Sequence, residues 1–149
     1  AIFEYTGQGL DYITKATPGN AADFGNKHSN GGQNTNMVST ETTLLIAGGR
    51  GLDQSLDYVS DIYYINWATL GNATDWGYDM INGGSCYARG TENKTGRGVF
   101  AGGLKNNGEG NPGVETEVIQ YVTIAVPSNA TDFGDLTAAS AYQHSYSGT

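Results

Sequence analysis

Residue types that define several protein classes are scarce in this sequence. Cys86 is the only cysteine, which excludes an internal disulfide and any zinc site built from several cysteines. Only seven Lys and Arg residues stand against 15 Asp and Glu, and the resulting net charge of −8 argues against nucleic-acid binding. No apolar run approaches the roughly 20 residues of a membrane-spanning helix, so we expect no membrane insertion.

The residues that are abundant favour strands and tight turns. The chain has 23 glycines and 10 tyrosines, and 38% of it is hydrophobic against 15% charged, a balance that disordered chains do not have. Glycine suits tight turns, whereas tyrosine and β-branched residues suit strands. No stretch shows sustained helical periodicity. The composition therefore predicts an all-β chain.

One sequence pattern occurs three times. The stretches 12–25, 64–77 and 121–134 align without gaps, and each ends in Asn-Ala-(Ala or Thr)-Asp-aromatic-Gly. The motif asparagines lie 52 and 57 residues apart. We expect the Asn and Asp side chains to bind nearby backbone amides, and the aromatic residue to be buried between neighbouring units. The structural motif residues are Asn20, Asp23, Phe24, Asn72, Asp75, Trp76, Asn129, Asp132 and Phe133.

A second repeated signature lies upstream of the first, before the stretches 64–77 and 121–134. Residues 44–49 and 98–103 are short apolar runs that end in a double glycine, as expected of a buried strand entering a sharp turn. Further strands are predicted over 62–68 and 118–125. The chain thus reads as a single repeat domain, 1–149, with approximate units 27–79, 80–136 and a third composed of 1–26 plus 137–149.

The order of these elements resembles the Kelch repeat of β-propellers, in which about 50 residues form one four-stranded blade. The variant at 129–136, Asn-Ala-Thr-Asp-Phe-Gly-Asp-Leu, is similar to Kelch-like repeats in structural proteins of tailed bacteriophages, especially cyanophages. Thr6-Gly7 replaces the double glycine in the first unit, which departs from the family pattern. The resemblance implies propeller-like blades, one of them split between the two ends of the chain.

Three blades are fewer than the usual minimum of four. We therefore expect two chains to supply six blades, or the split unit to close between chains in a larger assembly. A β-trefoil or β-prism is the alternative architecture that needs no partner. Unpaired strand edges bind further strands, so we expect self-association into a homo-oligomer or binding to other virion proteins.

No catalytic motif is present: there is no P-loop, no dinucleotide fingerprint with the right flanks and no serine elbow. We expect no catalytic residue, no metal and no cofactor. The resemblance implies a non-enzymatic virion or extracellular protein, as a tail-fibre or receptor-binding module or a capsid decoration protein. A free-standing carbohydrate-binding lectin is the alternative, and a glycan-degrading enzyme is the third hypothesis.

Recognition is expected in the loops after the two double glycines, because loops on a rigid scaffold carry binding residues. The first loop is 50–55, and the second is the insertion 105–112. Their polar side chains suit a host-surface glycan as a ligand. The candidate binding residues are Arg50, Asp53, Gln54, Lys105, Asn106 and Asn107.

Overall fold

The computed structural model describes residues 1–4, 8–27, 33–51, 58–81, 85–92, 96–107 and 113–142. These residues form 14 β-strands, with no α-helix among them, in four small antiparallel sheets of which none closes on itself. The predicted all-β class is confirmed. The architecture follows from the sequence, because runs of β-branched and aromatic residues alternate with glycine-containing turns.

The second unit is a four-stranded meander. Its strands are β4 (Asn36–Ser39), β5 (Thr43–Ala47), β6 (Asp61–Asn66) and β7 (Thr74–Asp79), and each pairs with the next along the chain. The β5–β6 register runs without interruption from Thr43↔Asn66 to Ala47↔Ile62. The predicted strand over 62–68 is thus shifted by one residue at its start and ends at Asn66.

The third unit repeats this order with an insertion. Its main sheet contains β9 (Arg89–Glu92), β10 (Arg97–Ala101), β13 (Val118–Thr123) and β14 (Thr131–Asp135). A smaller sheet at one end contains β8 (Ser85–Cys86), β11 (Leu104–Lys105) and β12 (Val114–Glu115). In the second unit the same place is taken by single bridges from Arg50 to Gln33 and Tyr58.

The first unit has three strands, β1 (Ile2–Glu4), β2 (Gly9–Tyr12) and β3 (Ala22–Asn26). Among the described residues β1 forms the edge of this sheet, whereas its counterparts β5 and β10 have β4 and β9 beside them. The prediction that part of 137–149 completes this unit falls partly on 143–149, outside the described residues. Ser140 and Tyr142 bind the third unit through their backbones. Ser140 accepts a hydrogen bond from Gly103 and donates one to Thr116, and Tyr142 donates one to Tyr87.

The core lies between the units. One cluster joins Leu10 and Phe24 of the first unit to Leu44, Ile46 and Ile65 of the second. The other joins the opposite face of the second unit to the third, and its members are Val38, Leu45, Ala47, Ile62, Trp76, Met80, Phe100, Val122 and Ile124. Because side chains alternate along a strand, β5 supplies both clusters and is buried on both faces. The sheets therefore pack face to face in chain order.

A buried ion pair lies where the first and second units meet. The Lys27 ammonium is 3.5 Å from the Glu4 carboxylate, and its side chain is fully buried. The Thr35 hydroxyl donates a hydrogen bond to the same Glu4 oxygen. Burial lowers the pKa of Lys27, and the Glu4 carboxylate opposes that shift. The three residues tie β1 to the segment that precedes β4.

Candidate functional site

The Asp-aromatic-Gly half of the motif forms the same local turn in every unit. Each aspartate accepts a hydrogen bond from the backbone N–H of the glycine two residues later, at 2.7 to 3.0 Å. The strand register shifts opposite each turn, and all three glycines have positive φ. These are the features of a β-bulge fixed by an Asx turn. The predicted local role of Asp23, Asp75 and Asp132 is confirmed.

The motif asparagines act differently from the prediction. The Asn72 side-chain oxygen accepts a hydrogen bond of 3.0 Å from the backbone N–H of Asn26, and Asn129 accepts one of 3.0 Å from Asp79. These partners lie in the preceding unit, 46 and 50 residues away. The expectation of a turn-internal bond was wrong for these two, because the strand edge of the preceding unit supplies a free N–H. Asn20 is exposed, and the described part of the chain places no such strand edge beside it.

Backbone bonds reinforce each junction. Gly71 donates to the Phe24 carbonyl at 3.0 Å, and Ala73 donates to Asn26 at 2.7 Å. At the second junction, Ala130 donates to Asp79 at 2.8 Å. The segments 71–73 and 128–130 thus dock on the outer edge of the preceding sheet, and 19–21 is the equivalent segment of the first unit. We name this segment, 19–21, 71–73 or 128–130, the docking turn.

The motif aromatics share one geometry but differ in burial. Each packs edge-on against a tyrosine of the neighbouring strand, with ring centroids 5.7 to 5.9 Å apart. Phe24 and Trp76 are 5% and 8% exposed, whereas Phe133 is 57% exposed. The predicted burial between units is therefore wrong for Phe133. The reason is that none of the described residues packs over Phe133 as the second unit packs over Phe24 and the third over Trp76.

The candidate loop residues are only partly described. Arg50 is half-buried and pairs through its backbone with Gln33 and Tyr58, while Asp53 and Gln54 lie outside the described residues. Lys105 lies in β11 opposite Val114, and Asn107 is exposed. The Asn106 side-chain oxygen is buried and accepts no hydrogen bond from the described residues.

These loops of neighbouring units meet around Tyr58. The Tyr58 hydroxyl accepts a hydrogen bond of 3.2 Å from the backbone N–H of Gly113, at the end of the third unit's insertion. Burial has the largest effect on the pKa of the Cys86 thiol and raises it, whereas Arg50 and Tyr58 both act to lower it. Burial is the main reason why the pKa of Tyr58 is raised. The structure therefore places Arg50 and the end of the insertion at one end of the sheets.

Cys86 is a structural residue in this cluster. Its side chain is fully buried, and burial raises the pKa of its thiol to about 12, against a smaller opposing effect of Arg50. A thiol with such a pKa is protonated at neutral pH and does not supply a thiolate nucleophile. The side chain packs there as a small hydrophobe.

A third repeated feature was not found from the sequence. Asn34, Tyr87 and Tyr142 all have left-handed backbones, with φ of 59°, 56° and 60°. Tyr87 donates a backbone bond to Asn34, and Tyr142 donates one to Tyr87, each at 3.2 Å. Their spacings of 53 and 55 match the repeat, but the residue type differs in one of the three. The three positions share a left-handed backbone but no common residue type. Of the two types present, only Asn commonly adopts that backbone, so the sequence carried no repeated signal here.

Neither metal ligands nor membrane helices are found in the part of the chain that the structure describes. It contains no group of three or more His, Cys, Asp or Glu side chains that could hold a metal ion. It also contains no helix that is long and apolar enough to cross a membrane. A scan against protein-family models gives no match, and no curated protein matches the sequence.

Proposed function

We propose that this chain is a non-enzymatic surface protein of a tailed-phage virion, either a tail-fibre or receptor-binding module or a capsid decoration protein. The observation that carries the proposal is the repeated docking turn. Its polar side chains hold one unit against the next, so the repeated motif serves the scaffold. Recognition then belongs to the loops at the end of the sheets.

The arrangement of the units supports a propeller-like scaffold. Two four-stranded meanders and a three-stranded one, packed face to face in chain order, have the strand order of propeller blades. We propose that the units are blades of the Kelch type. Three of them are too few to close a ring, and we propose that a second chain supplies the further units.

A glycan is the ligand class that the loop end suits best. Tyr142 is 58% exposed and lies against Tyr87, with ring centroids 4.3 Å apart. The Asn34 amide donates a hydrogen bond of 2.8 Å to the Tyr87 hydroxyl. Exposed aromatic rings beside polar groups pack on sugar rings and bind their hydroxyls. The same observation favours the second candidate function, a lectin that acts outside any virion.

Two measurements test the proposal. Mass spectrometry and immunogold labelling of particles from a phage that carries the coding sequence should detect the protein on the virion surface. A glycan screen should show saturable binding that Tyr142→Ala weakens at least tenfold. The matched control is Tyr78→Ala, because Tyr78 is an exposed tyrosine in β7, on another element.

The outcomes separate the candidates. Glycan binding by a protein that is absent from virions would support the lectin instead. Release of oligosaccharides from the bound glycan would contradict a non-enzymatic role. Virion attachment without glycan binding would support a capsid decoration protein and remove the proposed ligand class.

A further inference from the structure

We propose that the two end faces of this chain bind each other, so that the first unit of one copy docks on the third unit of a second copy. This contact names the surface for the self-association that the proposed function includes. It depends on the geometry of the purified chain alone, and it would stand if the virion assignment failed.

The strand registers define two faces on each sheet. The forward face packs on the next unit and carries the motif aromatic, and the rear face packs on the preceding unit. Forward positions in the first unit are Leu10, Tyr12 and Phe24, which align with Ile119, Tyr121 and Phe133 in the third. On the rear face, Phe3 aligns with Ile46 and Phe100, because each lies opposite the residue that precedes the motif-facing tyrosine.

These faces already bind each other twice within the chain. The forward face of the first unit contacts the rear face of the second, which includes Ile46. The forward face of the second unit contacts the rear face of the third, which includes Phe100. The motif aromatics of the two contacts, Phe24 and Trp76, are 5% and 8% exposed, and the rear-face residues Ile46 and Phe100 are at most 1% exposed. The chain therefore contains two internal examples of the contact that we propose.

Among the described residues, the rear face of the first unit and the forward face of the third unit have no unit packed on them. Phe133 on the last forward face is 57% exposed, while its counterparts Phe24 and Trp76 are buried. Phe3 on the first rear face is 51% exposed, while Ile46 and Phe100 are buried. Each end thus exposes one large aromatic at a position that both internal examples bury. Exposed apolar positions of this kind mark interaction surfaces.

The receiving edge at β14 has the backbone of an occupied one. Gly134 has a φ of 137°, against 136° for Gly25 in β3. Leu136 donates to Glu117 as Lys27 donates to Gln8. The Tyr121–Phe133 pair matches the Tyr12–Phe24 pair, with centroids 5.9 Å apart in both and interplanar angles of 84° and 85°. The edge is thus formed before any partner arrives, which lowers the entropy lost on binding.

The complementary docking turn is free at the other end of the chain. Asn20 and Ala21 are exposed, whereas the equivalent Ala73 and Ala130 pack against the two core clusters. By analogy with the first junction, where the backbone N–H of Asn26 directly follows the bulge glycine, the Asn20 oxygen would accept a bond from the backbone N–H of Asp135 in the second copy. The Ala21 N–H would donate to the Asp135 carbonyl. Strand edges bind strands of other chains in this way.

A contact between two different faces is heterologous. Two copies close into a ring if the rotation per unit permits six units in a circle, and otherwise the chains grow into an open filament. Either product contains the same interface, so the interface is tested by variants rather than by the final symmetry.

The experiment uses the purified chain and measures its mass by light scattering after size exclusion, over a series of concentrations. The wild type should exceed 15.7 kDa as concentration rises. Phe133→Asp and Phe3→Asp should each remain monomeric, with thermal unfolding close to that of the wild type. Leu70→Asp is the matched control: Leu70 is 64% exposed in an outer turn on neither end face, so its variant should associate normally.

Mixing the two variants gives the decisive result. Phe133→Asp keeps the first unit's rear face, and Phe3→Asp keeps the third unit's forward face. An equimolar mixture should therefore form one 1:1 dimer and nothing larger. Asn20→Ala should weaken wild-type association by about three- to tenfold, the effect of one hydrogen bond.

Three results would overturn the proposal. The wild type could remain a monomer at several hundred micromolar, or Phe133→Asp could keep the wild-type mass. The mixed variants could also fail to dimerise, which would mean that the contact does not join these two faces. None of these results bears on virion attachment or glycan binding.

Discussion

Replacing the three motif asparagines by alanine, one at a time, measures how strongly the docking turns hold the units together. The three residues share the motif Asn-Ala-(Ala or Thr)-Asp-aromatic-Gly, so we expect similar local turn preferences. Among the described residues, Asn72 and Asn129 accept a bond from the preceding unit, and Asn20 does not. Asn20 is therefore the internal control for any effect of the substitution on the turn itself.

The expected magnitude follows from the position of these bonds. Both lie at exposed strand edges, so water can solvate the backbone N–H after the asparagine is lost. Asn72→Ala and Asn129→Ala should each lower the free energy of unfolding by about 1 kcal/mol, the net contribution of one such hydrogen bond. For a chain of this size that is a fall in Tm of roughly 3 °C. Asn20→Ala should change it by less than about 0.5 kcal/mol.

Urea unfolding at a concentration where the chain is monomeric measures all three variants. The m-value should not change, since none of the substitutions alters the surface exposed on unfolding. Asn72→Asp keeps an acceptor oxygen and should recover most of the loss. The reasoning is refuted if Asn20→Ala costs as much as Asn72→Ala, because the effect would then be local to the turn.

Three further predictions concern single positions. Gly134→Ala should lower the free energy of unfolding by about 1 to 2 kcal/mol, because of the positive φ alone. Gly25→Ala should cost at least about 1 kcal/mol more, because its Cβ would also lie 2.5 Å from the Gly71 backbone oxygen. Equal losses in urea unfolding would disprove that contact. Burial, and after it the nearby Asp79 carboxylate, raises the pKa of Asp61 above its unfolded value of 3.8. The folded state therefore binds more protons than the unfolded state, and its stability falls as pH rises from 3.8 through the raised pKa. Asp61→Asn should therefore stabilise the protein at pH 7 by about 0.5 kcal/mol and flatten this acid dependence, and an unchanged pH profile would contradict the assignment. Cys86 should resist iodoacetamide at pH 8 and react in urea, as followed by mass spectrometry, whereas modification of the folded protein would show that the thiol is accessible.

The sequence by itself determined the strand content and the repeat. Short apolar runs before a double glycine predicted β5 and β10, and both strands end directly before that double glycine. The local half of the motif was also predictable, because an Asx turn joins an aspartate to the backbone N–H two residues on and needs no partner from elsewhere in the chain. Asp23, Asp75 and Asp132 accordingly make the same bond in all three units.

Only the tertiary structure decided what the repeated positions contact. Three asparagines in the same motif differ in their partners, and three motif aromatics differ in burial, because partner and burial depend on whether another unit lies beside them. That neighbour is supplied by chain segments about 50 residues away, a distance over which local sequence carries no information. For the same reason, equivalence within the repeat could not identify Phe3 and Phe133 as exposed, since exposure depends on whether a neighbouring unit covers the position.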